Sequence, residues 1–126
     1  MQEYAETETS RRIRTLLEED VQRGRLRPDI KLAYKPDLRG RLSKPTGELD
    51  VAAIYKELDI NFMASDLMLK TVWLNLTDQE LREIIEERFR QCYGDSDGEF
   101  MQSVVSSRYP IWCRDFGIEP RADFRV

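Results

Sequence analysis

Residues 77–93, TDQELREIIEERFRQCY, leave the chain little choice but a helix there. Thr77 followed by Glu80 is a capping box. The threonine hydroxyl can accept from the Glu80 N–H, and the glutamate can reach back to the Thr77 N–H. Asp78, Glu80 and Glu83 stand where the helix dipole is positive, Arg88 and Arg90 where it is negative. Gly94 follows as a stop. Leu81, Ile84, Ile85, Phe89 and Cys92 fall at i, i+3, i+4, i+8 and i+11, one face of a helix. Only Arg88, at i+7, interrupts that face. A helix with one dry side needs partners to cover it, so the rest of the chain is read as what supplies them.

Residues 10–24 read as such a partner. Thr9 or Ser10 caps it, Ile13, Leu16, Leu17 and Val21 form its stripe, and Gly24 ends it. Residues 48–58 resume a helix with Val51, Ile54, Tyr55 and Leu58 on one side. Residues 62–76, FMASDLMLKTVWLNL, are apolar almost all round and predict a buried helix that breaks at Asn75, with a strand over 69–76 as the competing reading. Asp97 is placed to cap a helix that runs to Tyr109 with Phe100, Met101, Val104 and Val105 inward. Pro110 then resets the chain before a short segment, 111–116, closed by Gly117. The expectation is one all-α domain of about five helices. Its parts are a disordered tail at 1–9, a helix at 10–24, a strap at 25–47, a helical body at 48–117 and an extended polar tail at 118–126. A small sheet pairing 30–34 with 69–76 would make it α+β instead.

The strap, RLRPDIKLAYKPDLRGRLSKPTG, loses the helical period. Pro28, Pro36 and Pro45 each push the preceding residue to extended geometry, and Gly40 and Gly47 add turns. A stretch of this length without its own secondary structure is functional, disordered, or wrapped on a surface.

Charge is laid out unevenly. Residues 11–44 hold eleven bases against five acids, and residues 45–101 hold five bases against thirteen acids, inside a net charge of -4. Either the basic limb neutralises its own acidic body or it meets an anionic partner. Arg outnumbers Lys in it, which suits forked contacts to carboxylate or phosphate. Tyr34 is the only aromatic there, too few for a base-stacking platform.

The chain has no histidine. That removes the commonest general base and most transition-metal sites. A carboxylate-only chemistry would fall to Glu83, Glu86 and Glu87, of which Glu86 and Glu87 are placed on the outer, solvated face. Asp95-Ser96-Asp97-Gly98 has calcium-loop residues, but Tyr93 and Val104 occupy the flanking ligand positions, so it reads as a turn. Residues 49–73 have helix-turn-helix spacing. Asn61, Ser65 and Lys70 beside Asp66 make a poor phosphate surface, so the reading is a core hairpin. Cys92 and Cys113 are not at metal spacing, and reduced thiols in a cytoplasmic protein are the default. An acidic first decapeptide is unlike a secretory signal, and no apolar run is long enough to span a membrane.

These observations lead to a non-enzymatic adaptor or assembly protein without cofactor or metal. Its partner-binding residues are Arg25, Arg27, Lys31, Tyr34, Lys35, Arg39, Arg41 and Lys44 on the strap. Tyr109, Trp112 and Phe116 join them if that aromatic cluster is exposed, since such residues anchor interfaces. The alternative partner is nucleic acid, gripped by residues 11–44, and a homo-oligomer is compatible with either. A structural ion pair between Asp20 and Arg88 is also expected. The stripes of the two helices have the same spacing, with opposite charges at the same i+7 step. The bland reading is that each side chain snorkels to water.

Overall fold

The computed structural model describes residues 5–58, 64–93 and 98–124. Over them the chain is all-α: six helices and no strand among the described residues. They are α1 (Glu8–Gln22), α2 (Pro36–Arg41), α3 (Val51–Leu58), α4 (Ala64–Leu74), α5 (Asp78–Tyr93) and α6 (Gly98–Asp115). Residues 30–34 are coil and 69–74 are helix, which sets aside the two-stranded alternative. The chain divides into two compact units, Met1–Thr77 and Asp78–Val126.

In the first unit, α1 and α2 both pack on α4. α1 starts earlier than its sequence suggests. Its cap is Thr7, whose hydroxyl accepts from the Ser10 N–H at 3.1 Å, while Thr9 and Ser10 are buried inside the helix. Residues 5–7 are therefore not a loose tail. The Thr7 N–H donates to the Asn75 side chain at 2.9 Å, the Thr7 hydroxyl to the Leu76 carbonyl at 2.5 Å, and Asn75 Nδ2 to the Ala5 carbonyl at 3.0 Å. Beyond its last residue Gln22, α1 is closed off by Gly24, φ 76°, with the Gly24 and Arg25 N–H groups donating back to the Val21 and Asp20 carbonyls. α4 ends in the same two-bond pattern at Asn75, φ 50°, as its sequence predicts. Ile13, Leu17, Leu42, Ile54, Leu67 and Leu74 are sealed in this core, but Leu16, expected inside, is 39% exposed.

The second unit is α5 on α6 with the segment that follows. Leu81, Ile84, Ile85 and Phe89 are buried as predicted, whereas Cys92 at the end of the stripe is exposed. α6 runs straight through Pro110, where a break was expected. The proline removes a backbone bond and costs about 3 kcal/mol. Against that, Val105, Tyr109, Cys113 and Phe116 lie at i, i+4, i+8 and i+11 and are all buried. Burial of a large side chain contributes about 1.5–3 kcal/mol each, so the continuous stripe wins. Phe100, expected inward, is 74% exposed. The side chain of Met101 and the residues 95–97 of the expected capping turn lie outside the described residues, as do Asn61 and the turn before α4.

Candidate functional site

The strap is not an extended ribbon. Its middle third, led by Pro36 at the first helical position, winds into α2. Leu42, at the end of α2, is fully buried, and residues 43–49 turn back on themselves through an antiparallel bridge between Ser43 and Leu49. Asp50 then opens α3, its carboxylate accepting from the Ala53 N–H at 3.1 Å. Polar bonds fasten the inner side of the strap to the last turn of α4. The Lys35 N–H donates to the Trp73 carbonyl at 2.8 Å, Trp73 Nε1 to the Lys31 carbonyl at 2.7 Å, and Arg39 Nη1 to the Leu74 carbonyl at 2.7 Å. The Lys35 ammonium sits 3.5 Å over the Trp73 ring, a cation–π contact.

The expected strap residues therefore divide. Tyr34, Lys35 and Arg39 are half-buried, and Lys35 and Arg39 are spent on α4. Tyr34 lines a groove of about 290 Å³ with Glu6, Ser10 and Arg14. Arg14 closes one side of that groove, donating from Nε and Nη2 to the two Glu6 oxygens at 2.7 and 2.9 Å. The hydrogen bond from Arg14 holds the Glu6 carboxyl below its usual value against the opposing effect of burial. Arg25, Arg27, Lys31, Arg41 and Lys44 are exposed. Three of these have acids at hand: Arg25 lies 3.8 Å from Asp20, Arg27 3.1 Å from Asp29, and Arg41 3.0 Å from Glu57. Such wet pairs contribute little, so the cations stay available.

The aromatic half of the expected surface is a correction. Tyr109 is 3% and Phe116 1% exposed, and Trp112 is half-buried. They pack inward around Phe89, whose ring meets Tyr109 and Trp112 edge-on at centroid distances of 6.4 and 5.5 Å. The dry face of α5 needed covering, and α6 covers it with these rings rather than displaying them. Asp20 lies in the first unit beside Arg25 and Arg88 lies in the second.

Glu86 is a second correction. Expected on the solvated face, it is 1% exposed. The Tyr109 hydroxyl donates to its Oε1 at 2.8 Å, and Arg121 grips both its oxygens, with Nε at 2.8 Å from Oε1 and Nη2 on Oε2. The Arg121 N–H donates to the Tyr109 hydroxyl at 3.0 Å, so that oxygen both gives and accepts. Burial pushes the Tyr109 phenol above its ordinary value, and the Glu86 hydrogen bond raises the Arg121 guanidinium. The residues 118–124 that bring Arg121 here are not an extended polar tail. Ile118 is 5% exposed, and the Phe124 ring stacks on Tyr109 at 4.6 Å. Arg82, Glu86 and Arg90 recur every fourth residue along α5, a pattern visible in the sequence that pointed here, although it also fits ion pairs in water.

Glu83 is exposed and accepts from Gln79 at 3.0 Å; it meets no second carboxylate in a cleft. Lys70, a residue of the rejected nucleic-acid reader, is buried. It donates to Asp66 at 2.8 Å and to the Leu58 carbonyl at 2.6 Å, closing the end of α3. Among the described residues no three acidic or thiol side chains are grouped to hold a metal ion, and no helix is long and apolar enough to cross a membrane. Compared with family models, curated proteins and solved structures, the chain finds no match in any of the three.

Proposed function

We propose that the chain is a non-enzymatic adaptor or assembly protein of the cytoplasm, and that the outer side of its strap binds an acidic surface on another protein. One observation carries this reading. From Lys31 to Arg39 the strap is fastened to α4 by backbone and side-chain bonds, while Lys31, Arg41 and Lys44 face water along it and Arg25 and Arg27 face water just before that stretch. Cations on a segment that is already ordered lose less entropy on binding than cations on a loose arm. The buried aromatic residues Tyr109 and Phe116 take no part, and the binding residues contract to the exposed strap cations. The absence of histidine and the engagement of Glu86 in an ion pair favour binding over catalysis.

The other partner class, nucleic acid, draws on the same cations together with Arg11, whose side chain is 62% exposed. Here Tyr34 is half-buried and the Trp73 ring is covered by Lys35, so neither is displayed for stacking. The test compares the full chain with a variant carrying Arg25→Ser, Arg27→Ser, Lys31→Ser and Lys44→Ser. The variant keeps its helicity, and a protein captured by the wild type from its native host is lost from it, with capture unaffected by nuclease. Capture that nuclease abolishes, or retention on DNA that falls steeply with salt, would assign the strap to nucleic acid instead.

A further inference from the structure

The segment after α6 sits on the second unit as a bound peptide would. Residues 118–124 form no helix or strand. Along α5, Arg82, Glu86 and Arg90 stand one turn apart and meet it in order. Arg82 donates from Nε to the Glu119 carbonyl at 2.9 Å, Glu86 receives the Arg121 fork, and Arg90 lies 5.2 Å over the Phe124 ring. From α6, Tyr109 accepts the Arg121 N–H and stacks on Phe124. Two side chains three residues apart are thus engaged, with Ala122 and Asp123 exposed between them.

The two halves of this contact differ in burial. The Glu86 side chain is 1% exposed, as a preformed receptor would be, whereas Arg121 is 41% exposed and enters from the surface. Residues 121–124 make a turn closed by a long backbone bond, 3.5 Å from the Phe124 N–H to the Arg121 carbonyl. Side-chain anchors, rather than a ladder of backbone bonds, hold the segment down. A buried carboxylate is costly without a cation, so the pocket retains a demand for a guanidinium whichever chain supplies it. The second unit carries eleven acids against seven bases, which attracts a basic ligand.

We propose that the Glu86–Tyr109 pocket is an arginine-recognition site for Arg-x-x-Phe segments that turn between the two side chains. Residues 118–124 are its built-in occupant, and an arginine-bearing segment of a partner protein displaces them. The tethered occupant competes at an effective concentration on the order of millimolar, so the wild-type chain binds such a peptide weakly. Vacating the pocket removes that competition.

The experiment titrates the fluorescently labelled peptide Ile-Glu-Pro-Arg-Ala-Asp-Phe into the full chain and reads anisotropy. Arg121→Ala is expected to bind it about tenfold or more tighter than wild type, because the open fraction rises. The same peptide with alanine in place of its arginine, and the double variant Glu86→Gln/Arg121→Ala, are expected to show no binding. Equal affinity of wild type and Arg121→Ala, or equal binding of the alanine peptide, overturns the proposal. Should Arg121→Ala lose its helicity, amide exchange on the wild type decides. The arginine peptide at saturation speeds exchange of the Arg121 amide and the alanine peptide does not; no change with either sinks the idea. A wild-type dimer that forms on concentration and dissolves on adding the peptide would make the occupant a second copy, and overturn the assignment to a partner.

Discussion

Asn75 shows how much one residue can hold. It occupies the left-handed region at φ 50°, which asparagine tolerates better than most residues, and its side chain ties residues 5 and 7 to the end of α4. Asn75→Ala loses both side-chain bonds and keeps the unfavourable backbone. It is expected to cost about 2–4 kcal/mol, the sum of a strained alanine and unsatisfied polar groups, read as a drop in the urea midpoint. Asn75→Gly relieves the backbone alone and should lose less; equal losses would mean the strain is not felt. Tyr109 makes a pH prediction. Its folded value is raised above the ordinary 10.0, chiefly by burial, so the fold favours the neutral phenol. The stabilising contribution is complete below pH 10.0 and is lost as pH climbs through the folded value. The tyrosinate absorbance of wild type minus Tyr109→Phe should therefore appear only together with loss of helicity. A tyrosinate signal from Tyr109 near pH 10.0 with helicity intact would contradict the burial that raises it.

At the scale of elements, the strap and α6 teach opposite lessons about proline. Pro36 starts a helix because its fixed φ and missing N–H suit a first turn, and Pro110 sits inside one because the buried stripe on either side outweighs it. The strap also divides along its length. Residues 31–44 include the α4 bonds, α2 and buried Leu42, whereas residues 23–29 are exposed at six of seven positions. Limited proteolysis with trypsin is expected to cut first after Arg23 or Arg25 and to spare Arg39. Early cleavage after Arg39 would show that the α4 bonds do not order the strap. The helices themselves were legible because caps, stripes and stops are local. α5 emerges as predicted, and α4 ends where Asn75 says it should. Glu86 was not legible, because what buries it comes from 35 residues further along the chain and a helical period contains no such information.

Across the whole molecule the charge asymmetry takes a different shape once the units are known. The first unit holds thirteen bases and thirteen acids, so the strap lies within a neutral unit; the second carries the entire net charge of -4. What the sequence alone supported was a mainly helical chain, the places of α1, α3 and α5 to within a turn, and the basic character of the strap. Periodicity, capping residues and composition act over one or two turns and need no knowledge of what lies opposite. Only the tertiary structure decided which stripes face inward to their ends, that Tyr109 and Phe116 are core rather than surface, and that Arg121 meets Glu86. Burial is a property of what covers a residue, and the covering segments arrive from far away in sequence. A carboxylate on the flank of a helix is solvated or sealed according to whether another part of the chain lies down beside it.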